Sequence, residues 1–124
     1  VYNKQYQKDN AKKLNQNKRH KNEDNRFEVC LAYSKRHSNS DIPCCICCGE
    51  NFHSDFLAID HIAGKKQMDS EPELIKLGYR STFQTNGLIR WILNNNFPKG
   101  FQTLCHNCNY AKRNNGFCPV HEVR

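Results

Sequence analysis

Two Cys-x-x-Cys pairs starting 60 residues apart, an apolar β-branched run between them and a lysine-rich lead-in without a core predict a small α+β protein. The expected parts are two antiparallel strands, a zinc knuckle at their joint, a closing helix, a helical insertion between the strands and a basic N-terminal arm, helical or disordered. The arm is expected over residues 1–38 and the zinc-bound domain over 39–124.

The arm comes first. From Val1 to Asn25 the appreciable apolar side chains are Val1, Tyr2, Tyr6, Ala11 and Leu14, too few to bury a core. No Gly or Pro occurs before Pro43, so helix is allowed, and Tyr2 and Tyr6 fall at i, i+4. Residues 1–40 carry ten Lys and Arg against four Asp and Glu, a net of +6, whereas residues 41–124 carry nine against eight. A segment so charged suits a phosphate backbone, where each neutralised phosphate releases condensed counterion. Phe27, Cys30, Leu31 and Tyr33 or Ser34 recur at helical spacing and predict a short helix docked on the domain, with Cys30 packed as a small hydrophobe.

Ser38-Asn39-Ser40-Asp41-Ile42-Pro43 is turn-rich and opens the domain. In Cys44-Cys45-Ile46-Cys47-Cys48-Gly49 two knuckle frames overlap, 44/47 and 45/48. Gly49 favours the second, because a glycine just past a knuckle takes the left-handed conformation that turns amides toward the sulfurs. With Cys105 and Cys108 this makes a four-thiolate set, Cys45, Cys48, Cys105 and Cys108, for one structural Zn²⁺. Cys44 and Cys47 are then either reduced and packed or, with Cys118 and His121, part of a second metal site.

Residues 56–62, Phe-Leu-Ala-Ile-Asp-His-Ile, read as the first strand, and alternation sends Asp60 and His61 to opposite faces unless the strand breaks there; Ala63-Gly64 favours a break. Gly64-Lys65-Lys66-Gln67 is a basic loop suited to phosphate. Ser70 and Pro72 start a short helix through Lys76 that Gly78 ends, and Thr85 is expected to cap a second. In that second helix Leu88, Ile89, Trp91, Ile92 and Leu93 form a core face and Arg90 stays outside. Phe101-Gln102-Thr103-Leu104 is the second strand and delivers Cys105; residues 107–114 form the closing helix, with Lys112 and Arg113 on its outer face and Gly116 as its stop.

Hydrophobic content of only 37% implies a small core. Zinc would staple it, because binding energy at a structural site is folding energy. The eight cysteines are read as metal ligands and packed thiols rather than disulfides because of their Cys-x-x-Cys spacing. No apolar run approaches the length of a membrane span, and the expected setting is soluble, intracellular and reducing.

The order Cys-x-x-Cys-Gly, an apolar strand ending in Asp60-His61, Leu104-Cys-x-x-Cys-Asn109 and a helix carrying Lys112 resembles the HNH nucleases, also called ββα-metal or His-Me finger proteins. It is most similar to their zinc-bearing branch, typified by endonuclease VII of phages. The resemblance covers roughly residues 44–121, and Phe97-Pro98-Lys99-Gly100-Phe101 shares it. It implies a ββα-metal core in which Asp60 and Asn109 hold a catalytic Mg²⁺ or Mn²⁺ and His61 is the general base. Lys112 or Arg113 would clamp a neighbouring phosphate.

The implied chemistry suits these residue types. A neutral imidazole can take a proton from water near its ordinary pKa of about 6.5, and carboxylate and amide oxygens are hard ligands. Two functions follow as expectations: a metal-dependent endonuclease acting on DNA rather than RNA, or a non-catalytic nucleic-acid-binding module in a ribonucleoprotein such as a ribosome.

Overall fold

The computed structural model describes the backbone of residues 4–115 and the side chains from Lys8 onward. In chain order the elements are α1 (Lys4–Ser38), β1 (Leu57–His61), α2 (Pro72–Lys76), α3 (Thr85–Asn94), β2 (Phe101–Cys105) and α4 (His106–Asn115). The described chain is thus a small α+β fold of two antiparallel strands and four α-helices, with 3-10 turns at Ser54–Phe56 and Gln67–Ser70.

The arm and the expected docking helix are one continuous element. With no Gly or Pro to interrupt it, α1 runs for 35 residues, roughly 52 Å at the helical rise. Asn39 ends it in the left-handed region at φ 56, its amide donating to the Lys35 carbonyl at 3.0 Å. Lys35, Arg36 and His37 lie in the last turn, where cations complement the helix dipole.

The buried face of α1 is rotated from the expected one. Val29, Cys30, Tyr33 and Ser34 are buried, two i, i+4 pairs side by side, while Phe27 is 47% exposed. Polar bonds fix that rotation: Tyr33 donates its hydroxyl to the Pro98 carbonyl at 2.5 Å, and Ser34 Oγ donates to the Cys30 carbonyl and accepts from the Cys44 amide. Thr103 of β2 donates to the same Cys30 carbonyl at 3.0 Å. Burial pushes the Cys30 thiol up to about 11, so it packs as a neutral group, as expected of it.

β1 and β2 pair from Leu57↔Cys105 to His61↔Phe101. β1 starts one residue later than expected because Phe56 belongs to the 3-10 turn, which His53 caps by accepting from the Asp55 amide. It stops at His61, where Gly64, at φ +100, closes a turn onto the His61 carbonyl.

In the insertion, α2 begins on Pro72 and is halted at Gly78, φ +87, as expected. Thr85 opens α3 but does not cap it: Gln84 stands at the cap without a side-chain bond to the first turn. Leu88, Ile89, Trp91 and Ile92 are buried and Arg90 is exposed. Trp91 donates its indole N–H to the Leu77 carbonyl at 2.7 Å, which makes it a core residue tying α3 to the end of α2.

The core has two halves on the ribbon. One is aromatic and aliphatic, built from Val29, Tyr33, Met68, Leu74, Tyr79, Leu88, Ile89, Trp91, Ile92 and Phe101. The other is rich in thiols: Cys30, Cys45, Cys47, Leu57, Leu104, Cys105 and Cys108. Among the described residues no helix is long and apolar enough to cross a membrane.

Candidate metal centre and adjoining cleft

The sulfurs of Cys45, Cys48, Cys105 and Cys108 all lie within 4.8 Å of one another, with Cys48 and Cys105 at 3.6 Å. Tetrahedral thiolate zinc, with bonds of about 2.3 Å, needs sulfurs about 3.8 Å apart, so the cluster could hold one metal ion such as zinc. Both knuckles share one shape. The Cys48 amide points at Cys45 Sγ at 3.5 Å and the Cys108 amide at Cys105 Sγ at 3.4 Å.

Of the two overlapping frames, 45/48 is the one whose thiols converge. Gly49 sits at φ +81, and its amide donates to the Cys45 carbonyl at 2.9 Å. The Ile46 amide donates to the Thr103 carbonyl in β2, which hangs the first knuckle on the ribbon beside the second. Cys44 and Cys47 are buried outside the four-sulfur group, Cys44 Sγ lying 3.5 Å from Ser38 Oγ. Cys118 and His121, the other half of the alternative second site, and the Gly116 stop lie outside the described residues.

The knuckles set α4 against the end of β1. Asp60 is buried, and its Oδ2 accepts from Gln102 Nε2 at 2.8 Å and from Lys112 Nζ at 2.5 Å. Lys112 also donates to the carbonyls of His61 and Ile62, at 3.2 and 3.1 Å. It is therefore turned inward rather than displayed on the outer face, while Arg113 is exposed.

His61 points elsewhere. Its ring packs against Phe101, with centroids 5.3 Å apart, and Tyr79, at 6.1 Å. Burial holds its imidazole below the ordinary 6.5; Asp60 opposes the shift, and Lys65 and Lys112 add to it. His61 and Asn109 line one cleft of about 210 Å³, together with Arg26, Lys65 and His106, over apolar walls that include Leu57, Ile59, Leu88 and Ile89. None of the residues lining it is acidic. Asp60 is not on that lining.

Three polar groups at the site were not expected from the sequence. Arg26 reaches the cleft from α1 and forms an ion pair with Asp55. His106, in the second knuckle, meets the Asp55 carbonyl at 2.9 Å through Nε2. Gln102 faces Asp60 by strand register. The register of the predicted strands signals Gln102, and the i, i+3 spacing of His106 and Asn109 on a helix signals His106. Arg26 is joined to the site only by the packing of α1.

No family model, no curated protein and no solved structure matches the chain.

Proposed function

We propose that this chain is a metal-dependent endonuclease of the HNH kind, hydrolysing phosphodiester bonds in DNA on a ββα-metal core with structural zinc on Cys45, Cys48, Cys105 and Cys108. The observation that carries this is the cleft, whose lining holds the imidazoles of His61 and His106, the Asn109 amide and two cations, Arg26, paired with Asp55, and the exposed Lys65, and contains no acidic residue. That lining suits a phosphodiester and repels nothing about it.

His61 is the general base in this reading. Its burial keeps the imidazole neutral near pH 7, ready to accept a proton from the attacking water. Arg26 and Lys65 hold phosphate oxygens, and Phe101 and Tyr79 fix the plane of the imidazole. In this reading Asp60 and Asn109 would be the hard-oxygen ligands of one Mg²⁺ or Mn²⁺, which requires the Asp60 carboxylate to leave Lys112 and turn toward the cleft that Asn109 lines. When bound there, the ion supplies Lewis-acid stabilisation of charge on the scissile phosphate. The exposed lysines and arginine dispersed along the first part of α1 add contacts along the backbone of the nucleic acid.

The test is cleavage of supercoiled plasmid with Mg²⁺ or Mn²⁺ by the wild-type chain and by His61→Ala. The second reading, a non-catalytic binding module of a ribonucleoprotein, is favoured by one contact: the Asp60 carboxylate is already neutralised by Lys112. It predicts no divalent-dependent cutting of any DNA or RNA.

A further inference from the structure

We infer that Lys112 is a built-in competitor for the divalent cation at Asp60, so that the cation position opens only when the lysine swings out. The inference rests on the nuclease-like reading of Asp60 but concerns how that position is controlled.

The geometry is that of a small cation cage with its own cation inside. β1 stops at His61 and the chain turns at Gly64, which leaves the carbonyls of His61 and Ile62 directed at α4. Lys112 Nζ lies 2.5, 3.2 and 3.1 Å from Asp60 Oδ2 and these two carbonyls, and three donor protons meet three oxygens. Gln102 holds the same carboxylate oxygen from the neighbouring strand and fixes its direction. The ammonium therefore sits among three oxygens at the strand end. A divalent ion cannot use Asp60 Oδ2 while Lys112 is docked, because two cations would share one oxygen at contact distance.

The consequence lies in the populations of the two states. Apparent affinity falls by the fraction of time the cage is open, so a lysine docked about nine-tenths of the time weakens the ion about tenfold. A phosphate that draws Lys112 outward opens the cage, and by reciprocity the ion then favours the phosphate. Ion and polyanion are bound together, rather than the ion being held in advance.

The test titrates Mn²⁺, which prefers oxygen donors, into the zinc-loaded full chain and reads free Mn²⁺ by EPR. Lys112→Met, similar in length and uncharged, should bind Mn²⁺ about tenfold more tightly than wild type, and adding Asp60→Asn should remove that gain. Equal affinities in wild type and Lys112→Met, or a gain that survives Asp60→Asn, would overturn the inference. A second measurement needs no variant: Lys112 in the wild-type chain should resist reductive methylation more than exposed Lys65 and Lys66, and saturating Mn²⁺ should accelerate its modification severalfold. An unchanged rate also overturns the proposal. Neither readout depends on cleavage: an Asp60-dependent Mn²⁺ gain in a chain that cuts nothing would sink the nuclease and keep the competitor, and the reverse result would do the opposite.

Discussion

Asp60 and His61 are sequence neighbours whose side chains leave the ribbon on opposite faces, Asp60 to Gln102 and Lys112, His61 to the rings of Phe101 and Tyr79. The imidazole is thereby half-buried and its pKa lowered from 6.5, so below that pH the unfolded chain binds more protons at this position than the folded one. Stability is therefore unaffected by His61 above about pH 6.5 and falls as pH drops from there toward the lower folded value. Urea midpoints measured at about pH 7.5 and 5.5 should differ less in His61→Phe than in wild type. An identical difference in the two proteins would assign the slope to other groups.

If the four-cysteine group holds zinc, chelation should unfold the domain rather than merely inactivate it. Cysteines dominate one core half: Cys30, Cys45, Cys47, Cys105 and Cys108 are buried there with Leu57 and Leu104, and Cys48 packs against them. Apparent zinc-binding free energies of about 10 kcal/mol or more match the whole stability of a small domain. Purified protein should contain one zinc per chain, and Cys105→Ser should lose both the metal and cooperative thermal unfolding. A metal-free preparation with an unchanged melt would refute the structural role.

Residues 26–38 should behave as core and the preceding part of α1 as arm. Tyr33→Phe leaves the buried Pro98 carbonyl without its hydroxyl donor and should cost about 1–3 kcal/mol by denaturant titration. Removing residues 1–24, by contrast, deletes only exposed or partly exposed positions among those whose side chains are described, and should leave the melt nearly unchanged. A neutral Tyr33→Phe would mean that α1 is not stitched to the turn before β2.

That truncation should also flatten the salt dependence of nucleic-acid binding. Seven Lys and Arg precede Asp24, dispersed along a helix with no reading motif beside them. Every phosphate that the truncated chain leaves unneutralised should reduce the slope of log K against log salt by about 0.7 to 0.9, without changing sequence preference. A slope equal to that of the full chain would give the arm another partner.

The strands, both knuckles, the choice of the 45/48 frame and the bounds of α2 were legible because each depends on local chemistry: alternation, ligand spacing, a left-handed glycine, a proline at a helix start. The rotation of α1 was not, since Phe27 and Val29 fit an apolar stripe almost equally and the hydroxyl bonds of Tyr33 and Ser34 to remote carbonyls and amides decide between them. The inward turn of Lys112 is not legible either. Helical periodicity places it on α4 without registering that Asp60 and two strand-end carbonyls lie beneath it. Arg26 of the cleft depends on α1 packing against a ribbon at least 31 residues away in sequence, a distance over which no local pattern carries information.

Cleavage and binding by a small set of variants separate the two functional readings. If His61 is the base, His61→Ala should lower divalent-dependent cleavage about 10² to 10⁴-fold, the usual worth of a general base. Zinc content and nucleic-acid affinity should stay close to wild type, because the imidazole makes its main contribution in the transition state. Asn109→Ala and Asp60→Ala should abolish metal-dependent turnover, whereas Arg26→Ala should chiefly weaken binding, since a guanidinium on the cleft wall holds phosphate without moving a proton. A binding module behaves otherwise: wild type cuts nothing, His61→Ala and Asp60→Ala bind as wild type does, and only loss of Arg26, Lys65 or the arm weakens the complex. Cleavage by wild type that His61→Ala matches would keep the enzyme and move its base out of this cleft.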